Sequence, residues 1–295
     1  MKGYVAEAQD LDPSDPCALC QSTDGRKLSH IIPKFVFQHA AVRSPTGYLR
    51  DNLTPNRRIQ DGVKEYMLCG KCEARFARWE RSFSNLFKAH HERPGRNFSY
   101  TNDDALAALS IVWRVAAHPR LHPELNHLTF GSDYSRTDSA FQKWSSMLLG
   151  TPGNPGSFRI FWIWFNHITD GPEQINRYIF HACDFDLWAS NKHTYSIAHL
   201  PGLILIGAME PCERRQFRGF DVCFRGGSYI ATENKIAPSW VWEYVEQKMK
   251  IRAGAINSIS ETQSKKIEKA VLDDPEKAIN SQLFRSMLFD RLNDE

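Results

Sequence analysis

The chain has 295 residues, 42% hydrophobic and 12% aromatic; that is enough apolar content to bury a sizeable core, which excludes a globally disordered protein and suits one large or two modest domains. No apolar run reaches the roughly 18 to 20 residues of a membrane span, and Met1–Glu7 lacks the apolar segment of an export signal, so a cytoplasmic protein with no membrane partner is expected. The net charge of +3 conceals an asymmetry: Arg26 to Arg96 holds fifteen Lys/Arg against six Asp/Glu, and the remainder nets −6. A basic segment of this kind suits contact with phosphates, so nucleic acid, DNA first, is the expected partner.

Met1 to Pro16 is acidic and proline-bearing and reads as an extended arm. Cys17-Ala-Leu-Cys20 follows, and Cys69-Gly-Lys-Cys72 answers it with 48 residues between the pairs. Two C-x-x-C pairs are the signature of a four-thiolate zinc site, because two intervening residues let a tight turn aim both sulfurs at one point. Zinc in a structural role is therefore expected. Cys183, Cys212 and Cys223 stand alone and are expected to be buried small hydrophobes.

Between the pairs, Arg26–Ile32 is a strand candidate ended by Pro33, and Phe35–Val42 is a helix candidate. Ser44 to Gly62 reads as a loop carrying Arg50, Arg57 and Arg58. Val63–Leu68 leads as a strand into the second pair. After Cys72, Glu73–Lys88 contains no Gly or Pro, and Phe76, Trp79, Phe83 and Leu86/Phe87 recur at helical spacing, which predicts a helix with one apolar stripe. Glu73 and Glu80 share a face at its edge.

Pro94–Asn97 marks the expected boundary between a module at 1–95 and an α+β domain at 96–295. In the second part, Thr101–Asp104 caps a strongly apolar helix, Ala105–Ala117, which is expected to be fully buried, with Trp113 in the core. His118 to Asp138 reads as polar and irregular, and Phe141–Leu149 as a helix. Phe158–Phe165 is apolar on both parities, as in a strand buried on both faces. Ile175–Phe185, Tyr195–His199, Leu203–Met209 and Phe217–Phe224 are further strand candidates. Helices are expected over Ser239–Arg252, Ser260–Leu272 and Pro275–Leu292. The large part lacks a Walker loop, a dinucleotide fingerprint and a nucleophile elbow.

Knuckle, strand, knuckle and helix, with Ser29-His30-Ile31-Ile32-Pro33 between the knuckles, resembles the HNH endonucleases, ββα-metal nucleases built on a treble clef. The resemblance covers residues 15 to 90. It implies His30 as the general base that activates water against a phosphodiester, with one divalent cation, Mg²⁺ or Mn²⁺, stabilising the developing charge. The family's acid before the histidine is here Ser29. Its middle asparagine has no counterpart, Gln60 and Asp61 being the nearest polar residues. The position directly after the second knuckle is Glu73, a competent ligand for such a cation, with Glu80 as a further carboxylate. The resemblance also implies a bacterial defence or mobile-element setting, with antiviral defence among the possibilities, and the alternative of a non-catalytic zinc finger gripping nucleic acid or protein. Lys34, Arg57, Arg58, Arg75 and Arg78 are the expected phosphate contacts, and His39, His90 and His91 are expected at the surface. A protein partner or a second copy of the chain is expected to engage the C-terminal part.

Overall fold

A long amphipathic helix, α2 (Gly70–Glu92), begins at the second cysteine pair. The computed structural model describes residues 11–51, 54–121, 135–169, 171–189, 193–231 and 235–292. Strand β1 (Lys27–His30) pairs antiparallel with β4 (Lys64–Leu68), with His30 opposite Lys64 and Ser29 opposite Glu65. Between them lie α1 (Lys34–Val42) and a two-residue ladder of β2 (Leu49–Arg50) with β3 (Arg58–Ile59). Helix α2 buries Phe76, Trp79, Phe83 and Phe87, the stripe expected from the spacing. It starts three residues before the predicted start and continues to Glu92; Pro94, which disfavours helix at the residue before it, ends the run.

After β5 (Phe98–Tyr100) comes α3 (Asn102–Leu121), buried almost throughout, with Trp113 fully enclosed. Helix α4 (Ser135–Leu148) packs beside it. Four antiparallel strands then form a sheet in the order β6-β9-β8-β7: β6 (Ile160–Trp164), β7 (Asp184–Ala189), β8 (Thr194–Leu200) and β9 (Leu203–Ala208). Successive residues on a strand point to opposite faces. Trp162, Trp164, Leu203 and Leu205 accordingly join α2 and α3 in one apolar cluster. Phe161, Ile163, Ile204 and Ile206 pack on the other face with Tyr178, Phe217 and Tyr244. Strands β6 and β9 are thus buried on both sides, as their uninterrupted apolar runs predict, whereas the edge strand β7 is only half-buried. Gly207 permits the close contact on the first face, since a Cβ there would lie 2.7 Å from the Trp144 ring. That first cluster also contains Cys17, Cys69 and Cys72, so one core runs from the cysteine site to the sheet.

Several expectations are corrected. Ile175–Phe185 divides into α5 (Ile175–His181) and the start of β7. Ile175, Tyr178, Ile179 and Ala182 are spaced for a helix, and the buried Asp290 carboxylate accepts from the amides of Asn176 (2.9 Å) and Arg177 (3.2 Å) at its N-terminus. Phe217–Phe224 is not a strand. A 3-10 turn (Arg214–Phe217) and Gly219 at φ 83° break it, and only Phe220 and Val222 bond to the edge of β6. The C-terminal helices are α6 (Ser239–Asn257), α7 (Glu261–Asp273), α8 (Pro275–Asn280) and α9 (Gln282–Leu292). The predicted Pro275–Leu292 helix is split at Ser281, whose hydroxyl accepts from the Phe284 amide and so caps α9. Residues 118–121 and 135–138 are helical where irregular chain was expected; 122–134, and residues 1–10 of the predicted arm, lie outside the described residues. Cys212 is buried as expected, Cys183 is half-buried and Cys223 is exposed. A short ladder of β5 with β10 (Gly227–Tyr229) completes the described strands.

The three histidines expected at the surface lie in the interior instead. His39 and His90 are buried, and His39, Phe87 and His91 form an aromatic cluster in which the two imidazoles stand 4.3 Å apart. Phe, His and Trp rings share edge and face contacts that a charged imidazole would lose to water. Burial, aided by His91 and Arg43, pushes His39 down to about 2; burial, aided by His90 and Arg43, pushes His91 to about 4. Both are neutral in the folded protein, whereas in the unfolded chain they titrate near ~6.5. Their contribution is complete above that value and falls as the pH drops towards about 4, with a slope of about 1.4 kcal/mol per pH unit per histidine. His39→Phe is therefore expected to flatten the fall in Tm between pH 7 and 4.5; an unchanged acid profile would refute the assignment.

Candidate metal centre and the histidine beside it

Each cysteine pair is positioned by backbone bonds that the sequence makes available. In the first, the Cys17 amide bonds to Ser22 O (2.8 Å) and the Gln21 amide to Cys17 O (2.9 Å), closing a turn in which Gln21 takes the left-handed conformation at φ 59°. The Ala18 amide bonds to Met67 O (2.9 Å), hanging the turn from β4. In the second, Cys69 precedes α2 in an extended conformation and Cys72 lies in the first helical turn. The four sulfurs all lie within 4.8 Å of one another, Cys20 and Cys69 at 3.7 Å. Tetrahedral thiolates about 2.3 Å from zinc stand about 3.8 Å apart, whereas a disulfide needs about 2.05 Å. The set fits a metal such as zinc. Burial raises the Cys20 and Cys72 thiols. For Cys69 burial acts the same way but is outweighed by the Cys72 amide and the neighbouring thiols, which bring it down to about 7. Cys69 is thereby favoured towards the thiolate, the form that binds metal.

His30 ends β1 and is half-buried. Its Nε2 lies 3.2 Å from Asp61 Oδ2, and Lys64 Nζ lies 2.7 Å from the same oxygen. Burial foremost, with the charges of Lys64 and Arg114, lowers the His30 imidazole despite Asp61. Burial would raise Asp61, but Lys64 and His30 outweigh it and hold the carboxyl below its ordinary value. An ionised carboxylate only accepts, so His30 carries its proton on Nε2 and leaves the Nδ1 lone pair free of this contact. Gly62 brings Asp61 into reach: a Cβ there would lie 2.0 Å from the Phe37 ring, so only glycine lets this turn lie against α1.

The other predicted residues are distributed unevenly. Ser29 is buried, its hydroxyl donating to Lys27 O and accepting from the Leu68 amide, so it is spent within the hairpin. Glu73 sits in the first turn of α2 with a buried Oε1 that has no partner. Glu80 is held by the guanidinium of Arg114, whose Nη1 donates to His30 O at 2.8 Å. Among the described residues no donor set besides the four cysteines gathers into a metal site. Of the predicted phosphate contacts, Lys34 and Arg57 are exposed. Arg58 is exposed and stacks 3.8 Å from the Tyr48 ring centre, while Arg78 is exposed and 3.7 Å from Asp103. Arg75 is turned to Leu148 O at 2.9 Å, capping the end of α4. Arg114 was missed. It is the one cation in the apolar Ala105–Ala117 run, and a charge at a buried helical position signals a buried partner.

Comparison with protein families, curated proteins and solved structures gives no match to this chain.

Proposed function

We propose that the cysteine-clamped hairpin and helix form a treble-clef module of HNH type that binds nucleic acid and hydrolyses its phosphodiester bonds, with His30 as general base. The carrying observation is the His30–Asp61 pair: a neutral imidazole, held in one tautomer by a carboxylate at the end of β1. A base positioned by an acid is the arrangement that proton abstraction from water needs. Zinc at the four cysteines holds the scaffold. Glu73, with its unpartnered buried oxygen, is the carboxylate left to hold a Mg²⁺ or Mn²⁺, which commonly takes only one or two protein carboxylates beside substrate phosphates. Glu80 does not serve, being neutralised by Arg114. Lys34, Arg57, Arg58 and Arg78 supply exposed positive charge for DNA.

The second reading is a non-catalytic nucleic-acid or protein module, and Arg114 favours it. A guanidinium joins the β1 end to the Glu80 carboxylate, so one of the two predicted carboxylates is already paired with a protein cation. Purified protein incubated with plasmid and with RNA in Mg²⁺, Mn²⁺ or EDTA separates the readings. Hydrolysis is expected to need the divalent cation and to fall at least 100-fold in His30→Ala, the usual scale for removing a general base. Salt-sensitive binding with no cleavage under any metal would establish the module.

A further inference from the structure

A cavity of about 400 Å³ lies where the edge strand β6 leaves the sheet, between β10 and the start of α6. Trp164, Phe165, Tyr229 and Trp242 give it an aromatic wall, and Lys235 stands at 3.5 Å over the Tyr229 ring. Its size is that of a small-molecule site. Trp242 is 44% exposed, a large aromatic left on the rim without a full covering.

Three lining side chains, Trp164, His90 and His167, carry polar atoms that the fold does not satisfy, and the first two are neighbours. The indole Nε1 of Trp164 and Nδ1 of His90 are buried and have no hydrogen-bond partner, although each residue is only 6% exposed. The rings are neighbours, 4.6 Å between centres. His90 Nε2 faces Phe165 O at 3.4 Å, and a carbonyl only accepts, so Nδ1 presents a lone pair. Trp164 offers only an N–H. Trp164 thus brings an unsatisfied donor and His90 an unsatisfied acceptor to the same aromatic wall, the two kinds of group that the edge of a nucleobase pairs with. Buried groups left unsatisfied are costly, which is why such atoms in native proteins point to an absent partner. Aromatic faces accept any base by stacking.

We propose that this cavity binds a nucleobase, its ring against the aromatic wall and its edge hydrogen-bonded to Trp164 Nε1–H and His90 Nδ1. Both atoms are shielded from solvent, so admitting the base opens the wall around them. The site is independent of the cysteine-clamped hairpin and does not need His30 to be catalytic. The base arrives either on a free nucleoside or nucleotide or on a single-stranded oligonucleotide, and the chemistry of recognition is shared.

Tryptophan fluorescence and calorimetric titration of the full-length protein with adenosine, guanosine, cytidine, uridine, their monophosphates and a short single-stranded DNA test this. At least one is expected to bind, and Trp164→Phe, which keeps a ring but removes the N–H, is expected to weaken it at least tenfold. Trp242→Ala, on the rim, provides a second variant should Trp164→Phe disturb the core, and is expected to weaken binding as well. Binding of nucleosides identifies a free ligand; binding of the oligonucleotide alone identifies a base within a strand. No binding to millimolar concentration, or binding that neither variant alters, overturns the proposal. His30→Ala is expected to leave this binding unchanged, which separates its failure from that of the nuclease reading.

Discussion

Cys69→Ser is expected to abolish metal binding at the four-cysteine cluster and to unfold the junction of β4 with α2. Structural zinc in small finger peptides supplies about 10–16 kcal/mol of apparent binding free energy, which for such sites is folding free energy. Cys69 is fully buried, precedes the helix and sits 3.7 Å from Cys20, so its loss removes one of the four sulfurs through which a metal would tie the first pair to the start of α2. Zinc content per chain and the thermal transition should both fall, and a strong chelator should reproduce the effect in the unaltered protein. Cys223→Ser, at an exposed position, should change neither. Full zinc content and an unshifted transition in Cys69→Ser would refute the site.

Arg114→Ala is the second large effect. Arg114 is 3% exposed, donates to His30 O and to Ser110 O, and pairs with Glu80. Removing one partner of a buried pair leaves the other charge uncompensated and costs about 3–5 kcal/mol. Chemical denaturation should show that loss, and Glu80→Gln in the Arg114→Ala background should recover part of it, because the stranded carboxylate is gone. A loss below about 1 kcal/mol would show that the pair is open to water, as surface pairs are.

The elements that were legible in the sequence are those whose own residues decide them. The stripe of Phe76, Trp79, Phe83 and Phe87 sets α2, and the doubled apolar parity of Ile160–Trp164 sets a strand covered on both faces. The cysteine spacing sets the metal site, for ligand geometry is local to each pair. Ile175–Phe185 reads as one strand because a seven-residue helix and the start of a strand adjoin in it with only Ala182 and Cys183 between them; Asp290, over a hundred residues away, fixes the helical part by accepting from the amides at its start. The histidines were misread because polarity argues for the surface, whereas three imidazoles beside Phe87 and Trp164 form an aromatic cluster of their own. Asp61 was legible as a polar residue near the second knuckle, but its tie to His30 depends on Gly62 against Phe37, a contact between distant segments. The role of Arg114 depends on which helix lies across the hairpin, and no spacing encodes that.

The continuity of the apolar cluster across Pro94 has a bearing on inheritance. Phe76, Phe83 and Phe87 are covered in part by Trp113 and Trp164, residues supplied by the later two-thirds of the chain. A recombination event that carried off the cysteine-bearing portion alone would bare those rings to water. The cysteine-bearing portion and the sheet are therefore expected to hold their fold only when they are inherited together.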